Sequence, residues 1–164
     1  MFRTEDAAKL ITRAFEVEDV EGDQLFVAIA GQDGLRWIIP ANLGPASRAL
    51  SHWRPYRRMS RIAWTAIQIA SRANVLALIP TGHVVRVALG DVGWETFGWT
   101  RPYPPQVIAY VGTPGPHQKL VCSLVDRQTY DTTHVVKFPL VETAKACLRR
   151  EFDTLVQLAN DDCD

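Results

Sequence analysis

The last third of the chain carries the pattern that most restricts its fold. Three short apolar segments are separated by polar, turn-rich segments and followed by an amphipathic helix from about Thr143 to Ala159. Connections this short favour antiparallel neighbours. We therefore expect a β-meander with one helix packed across it. Its strands are VIAYV (107–111), LVCSLV (120–125) and HVVKFPL (134–140), and its connections are GTPGPHQK (112–119) and DRQTYDTT (126–133).

The first hundred residues mix helical and strand patterns. Residues 4–15 form an amphipathic helical pattern, and LFVAIA (25–30) and LRWIIP (35–40) flank the turn-rich GQDG, which predicts a hairpin. Residues 46–80 predict two helices with a break at Pro55, and HVVRVAL (83–89) is typical of a strand. The fold class is therefore α+β.

A segment rich in glycine, proline and aromatic residues, 91–106, separates these two parts. We place a boundary near residue 102. Residues 1–102 then form an N-terminal hairpin and helical region, and residues 103–164 form the meander with its helix. Trp94, Phe97 and Trp99 are interpreted as packing anchors, because no basic groove brackets them as a surface that stacks bases needs.

Two charges stand at apolar positions of the meander and its helix. Strand alternation places Lys137 with Val135 on one face of the third strand. Glu151 follows Leu148 by three residues and precedes Leu155 by four, so it lies on or beside the apolar stripe of the helix. A buried charge is costly without a partner. We therefore expect Lys137 and Glu151 to pair.

This order of elements resembles the small lobe of the protein-kinase fold, which has a strand lysine, a helix glutamate and a glycine-containing loop. It is most similar to aminoglycoside-phosphotransferase-like kinases, especially bacterial proteins linked to exopolysaccharide gene clusters. The resemblance rests on GTPGPHQK (112–119), VVKFPL (135–140) and LRREFDTL (148–155), and more loosely on HWRPYRRMSRIAW (52–64). It implies that Lys137 positions nucleotide phosphates and that Glu151 holds this lysine. The residues implied to cover the phosphates of ATP with Mg²⁺ are Gly112, Thr113, Gly115, Gln118 and Lys119.

Each part of this site has a structural alternative. The loop departs from the full glycine-rich loop of protein kinases, and Pro114 and Pro116 remove two backbone N–H donors. It could serve only as a turn between hairpin strands. Lys137 and Glu151 could form a purely structural salt bridge.

A second candidate site is basic. Arg48, Arg54, Arg57, Arg58 and Arg61 cluster around the break at Pro55. Because guanidinium groups match phosphate geometry, this patch predicts a site for an anionic glycan, a lipid head group or another phosphate. The alternative is a solvated helix face.

Composition narrows the function classes. Eighteen basic and eighteen acidic side chains balance, which gives no overall attraction to nucleic acid. The cysteines Cys122, Cys147 and Cys163 lie far apart, and no metal-ligand spacing occurs. No signal-peptide core opens the chain, and polar residues interrupt its most apolar segment, 62–80. We expect a cytoplasmic protein that is not transmembrane.

Phosphoryl transfer also needs metal ligands and a residue that orients the attacking hydroxyl. In this fold they belong to the large lobe, and residues 1–164 contain no catalytic-loop pattern. We therefore expect the N-terminal portion of a phosphotransferase, truncated or split, which is inactive alone and binds ATP weakly. Its partner would be a separate large lobe or a second copy. The alternative is a non-catalytic interaction module of polysaccharide biosynthesis, and an unrelated small α+β enzyme has least support.

Overall fold

The computed structural model describes residues 4–16, 24–53, 55, 58–80, 82–87, 89 and 92–161. Within these ranges, six strands and three α-helices form the regular framework, with short 3-10 helices at Gly44–His52, Leu76–Leu78 and Trp94–Phe97. The helices are α1 (Thr4–Ala14), α2 (Arg58–Arg72) and α3 (Glu142–Asp161). The strands are β1 (Gln24–Gly31), β2 (Gly34–Pro40), β3 (Gly82–Val87), β4 (Gln106–Val111), β5 (Lys119–Val125) and β6 (Thr132–Pro139).

All six strands belong to one antiparallel sheet in the order β3-β1-β2-β4-β5-β6. The predicted hairpin is confirmed as β1 and β2, which meet at Gly31 and Gly34. The predicted meander is confirmed as β4, β5 and β6, and the α+β class with it. Pairing of β2 with β4 joins the regions before and after residue 102. Whether those regions are separate folding units stays a prediction.

The sheet is covered on both faces near its middle. In β1, Phe26 and Ala28 contact the core beneath α1, whereas Val27 and Ile29 contact the core beneath α2 and the 3-10 helix Gly44–His52. Successive strand residues point to opposite faces. A strand segment with both faces buried therefore needs apolar residues at every position, which explains the unbroken apolar residues 26–29. Leu25 and Ala30, at the two ends of LFVAIA, are exposed.

The middle helical region departs from its predicted form. The chain breaks at Pro55 as expected, but the segment before it is a 3-10 helix rather than an α-helix. In α2 the face that packs on the sheet carries Trp64, Ile67 and Ser71. Ile62 and Ile69, which are seven residues apart and share another face of the helix, are exposed. The large indole of Trp64 packs on the sheet instead.

The aromatic segment before β4 packs into the core, as predicted. Trp94 and Trp99 are buried, and Phe97 contacts the same core. Phe15, the residue after α1, lies 5.3 Å from Trp94 and 5.4 Å from Phe97 between ring centroids. The segment therefore joins α1 to the sheet.

Only the first half of α3 packs on the sheet. Ala144 is buried and Leu148 is partly buried, whereas Phe152 and Leu155 on the same stripe are exposed. The predicted helix spanning 143–159 is confirmed, but its packing across the meander extends over only its first turns. None of the helices in the described ranges combines the length and apolar character that a membrane crossing requires.

Candidate functional site

Lys137 and Glu151 form the predicted ion pair. Lys137 lies on the edge strand β6, and Lys137 Nζ donates to Glu151 Oε1 on α3. Each side chain is about one third exposed, 33% for Lys137 and 38% for Glu151. The pair therefore lies at a boundary that solvent and a ligand can both reach, and it is not sealed in the core.

Lys119 shares the same carboxylate. Its Nζ lies 3.3 Å from Glu151 Oε2, so one carboxylate bridges two ammonium groups on neighbouring strands. The hydrogen bond from Lys137 lowers the pKa of Glu151, and Lys119 acts in the same direction against the opposing effect of burial. The three groups together carry one net positive charge. Such a site attracts an anion that can contact both lysines.

The predicted phosphate loop, residues 112–119, is closed on itself. The Gly112 N–H donates to Lys119 O at 2.8 Å, and the Gln118 N–H donates to Gly115 O at 3.1 Å. The Gln118 side chain donates to Gly112 O at 3.2 Å. These donors are therefore engaged within the loop and not free for phosphate oxygens. Gly115 has φ +152°, a conformation that residues with a side chain rarely adopt.

Thr113 ties the loop to β2. Its hydroxyl oxygen accepts a hydrogen bond of 3.3 Å from Arg36 Nη1, and the same nitrogen donates to Val111 O. Arg36 also pairs with Asp33 at 3.0 Å in the β1–β2 turn. The loop thus contacts the N-terminal hairpin as well as α3.

A row of side chains crosses the sheet beside Lys137. Lys137 pairs with Val121, Val121 with Tyr110, and Tyr110 with Trp37, so all four lie on one face. Trp53, which is 39% exposed, packs on Tyr110 with ring centroids 4.2 Å apart. Because strands are spaced about 4.8 Å apart, Tyr110 lies roughly 10 Å and Trp37 roughly 14 Å from the lysine. Sequence reasoning did not assign Tyr110 to the site.

The arginine patch is described only in part. Arg54 and Arg57 lie outside the described residues. Arg58 and Arg61 are exposed in the first turn of α2. Arg61 also lines a cavity of about 380 Å³ with Trp53 and Trp64. The patch as an anion site stays a prediction.

A larger cavity of about 940 Å³ lies on the opposite face of the sheet from Lys137. Phe138, the strand neighbour of Lys137, lines this cavity with Leu10 and Phe97, and Arg13 and Glu16 stand among its charged lining groups. Lys137 and Glu151 do not line this cavity, although Gln118 of the loop does.

Asp126 is a buried charge that sequence reasoning read only as part of a polar turn. Its carboxylate accepts backbone N–H groups from Gln128 (2.7 Å) and Thr129 (3.0 Å), the hydroxyl of Tyr103, and an ion pair with Arg101. The bond from Thr129, followed by that from Gln128, lowers the pKa of Asp126. An aspartate at the start of a turn commonly caps the following N–H groups, which was the available signal. Its role is to fasten the β5–β6 turn to the segment before β4.

No group of three or more metal-ligating side chains occurs among the described residues. Comparison of the chain with protein-family models, curated proteins and solved structures found no match. The kinase-like resemblance therefore stays a prediction that rests on the sequence segments quoted above.

Proposed function

We propose that the chain is the small-lobe portion of a kinase-like phosphotransferase and binds ATP weakly through the face that carries Lys137. The observation that carries this proposal is the carboxylate of Glu151 held between Lys137 and Lys119 beside a glycine-containing loop. Two ammonium groups held by one carboxylate supply a positive charge at a fixed position, as phosphate binding requires.

The row of side chains next to Lys137 supports the same proposal. Val121 and Tyr110 extend from the lysine across the sheet as an apolar surface, and Trp53 lies against Tyr110. A nucleotide has an anionic end and a flat aromatic end. Lysines at one end of the row and aromatic rings at the other match that division.

The hydrogen bonds within the loop 112–119 explain why the proposed binding of ATP is weak. Two of its N–H groups already have partners within the loop, and two positions are proline. A nucleotide that took these donors would first have to break the bonds inside the loop. That cost is subtracted from the binding free energy.

Turnover in this proposal needs a separate large lobe that supplies the metal ligands and orients the acceptor. The second half of α3 offers a surface for such a partner, because Phe152, Leu155 and Leu158 are each more than half exposed. Exposed apolar residues grouped on one element commonly mark an interface.

The same surface favours the second candidate, a non-catalytic interaction module of polysaccharide biosynthesis. In that case the Glu151 site is structural, and α3 alone carries the function by binding a partner protein. The two candidates differ in nucleotide binding and share the exposed surface of α3.

A thermal-shift titration with Mg·ATP separates them. Saturation a hundredfold above Kd stabilises the folded chain by about 2.7 kcal/mol, which corresponds to roughly 5–10 °C for a chain of this size. We expect a dose-dependent shift up to millimolar ATP that Lys137→Ala abolishes. Lys145→Ala is the matched control, because Lys145 pairs with Glu142 on an outer part of the same helix. No shift at millimolar ATP would contradict nucleotide binding and leave the module. An equal loss in both variants would contradict binding through Lys137.

A further inference from the structure

The loop 112–119 is fastened to one face of α3 by three polar contacts. Thr143 Oγ1 donates to Pro116 O, Cys147 Sγ meets His117 Nδ1, and Glu151 Oε2 accepts from Lys119 Nζ. Residues four apart on a helix lie above one another on the same face. The loop therefore runs along α3 and contacts it once per turn, with the thiol–imidazole contact in the middle.

The middle contact joins two reactive groups. Cys147 Sγ lies 3.2 Å from His117 Nδ1, within hydrogen-bond distance for a thiol that donates to the unprotonated ring nitrogen. Cys147 is partly exposed and His117 is exposed, so a small molecule can reach the sulfur. A thiol beside an imidazole that accepts its proton is the arrangement that activates cysteine as a nucleophile.

Cys122 provides the contrast within the same fold. It is completely buried in β5, and burial raises the pKa of its thiol far above the usual range. It has no access to solvent and no base beside it among the contacts of the described residues. The fold therefore contains one accessible thiol with an imidazole base beside it, that of Cys147, and one buried and inert thiol, that of Cys122.

We propose that Cys147 and His117 form a thiol-modification site that exchanges with low-molecular-weight disulfides. His117 takes the proton of the Cys147 thiol, and the sulfur attacks one sulfur of the disulfide. The bond between Cys147 and that sulfur forms as the original S–S bond breaks. The departing thiolate takes the proton from the His117 imidazolium, so one thiol is consumed and one is released.

The mixed disulfide changes the loop. A sulfur bonded to a second sulfur has no proton to donate to His117, and its added group occupies the space between α3 and the loop. The central one of the three contacts is lost, and the loop separates from α3 around His117. This consequence does not depend on nucleotide binding.

The test measures the second-order rate of labelling by an aromatic disulfide, dithionitrobenzoate, on the full chain carrying Cys163→Ser. We expect one fast thiol in the folded protein. Cys147→Ser removes that thiol, and His117→Gln slows its labelling by about tenfold or more, since general-base assistance is worth at least that much. His134→Gln is the matched control and leaves the rate unchanged, because His134 hydrogen-bonds Thr133 on β6. Circular dichroism confirms that each variant is folded.

Two results would overturn the proposal. One is an unchanged labelling rate in folded His117→Gln, and the other is labelling that persists in Cys147→Ser. Loop release is measured separately by amide hydrogen exchange. We expect faster exchange at Gly115, His117 and Gln118 after adduct formation, and unchanged exchange would show that the adduct leaves the loop in place.

Discussion

At the scale of single residues, Glu151 is the centre of the lysine site. Among the residues that the structure describes, its carboxylate is the one that contacts both Lys119 and Lys137. Replacing it with a neutral side chain leaves two ammonium groups close together without a counter-charge. The electrostatic contribution of the site to the free energy of unfolding can therefore be measured by replacing this one residue.

Glu151→Gln is expected to lower the free energy of unfolding at pH 7 by about 0.5–1 kcal/mol, a small value because the partners are partly exposed. The pKa of Glu151 is lowered in the folded chain, so its contribution is complete above its unfolded pKa of about 4.3. The contribution disappears as pH falls through the lower folded pKa. Urea unfolding at pH 7, 5 and 3 should show the difference from wild type at the first two values and a smaller one at pH 3.

Glu142→Gln is the control for this series. Glu142 pairs with Lys145 at 2.8 Å but is 84% exposed, so its removal should change stability by less than that of Glu151. Equal effects of the two substitutions, or a Glu151→Gln effect that is undiminished at pH 3, would contradict the shared-carboxylate site.

The Lys137 and Glu151 pair could be predicted because both residues interrupt apolar patterns with well-defined periods. Lys119 was also assigned to the site, but its contact with Glu151 could not be predicted, because that contact depends on the pairing of Lys119 with Pro139 across β5 and β6. The contact of His117 with Cys147 was also missed, since the path of a loop over a helix leaves no periodic signal in the sequence.

At the scale of elements, the two halves of α3 lie in different environments. Its first turns pack on the sheet, and its later apolar residues are exposed. Helical periodicity predicted one continuous apolar stripe correctly. Periodicity describes which residues share a face, but it does not show how far the neighbouring sheet extends beneath that face.

The double substitution Phe152→Gln and Leu155→Gln tests this exposed surface. We expect a change in unfolding free energy within about 0.5 kcal/mol, because neither side chain is buried. We also expect loss of the concentration-dependent self-association that an exposed apolar surface promotes. Light scattering coupled to size-exclusion chromatography measures the association, and urea unfolding measures stability.

Leu148→Gln is the matched substitution on the packed half of α3 and should destabilise the chain more than the double variant. Self-association that is unchanged in the double variant would show that this surface is not an interface. A large loss of stability there would show that the residues are packed in solution.

At the scale of the whole molecule, one sheet passes through the boundary predicted near residue 102. Ile108 on β4 packs in the core that also contains Val27 and Ile39 from the first half of the chain. The boundary was inferred from a change in composition. The pairing of β2 with β4, which bridges it, is long-range and could not be derived from local patterns.

Ile108→Ala should therefore destabilise both halves together, by about 2–5 kcal/mol. Tryptophan fluorescence reports mainly on residues before 102, and the labelling of buried Cys122 reports on β5. The two probes should give one midpoint in urea, for wild type and variant alike. The exposed substitution Val135→Ala is the control with little effect. Separate midpoints would support two folding units.

The central claim is that the face carrying Lys137 binds the phosphates of ATP. Two-dimensional amide NMR of the full chain during Mg·ATP titration tests it most directly, because it locates the ligand on the sheet. We expect saturable shifts at Lys119, Val121, Lys137 and the 112–118 loop, with the effect lost in Lys137→Ala. Shifts confined to the cavity on the opposite face around Phe97 and Leu10, or no shifts at millimolar ATP, would contradict the claim.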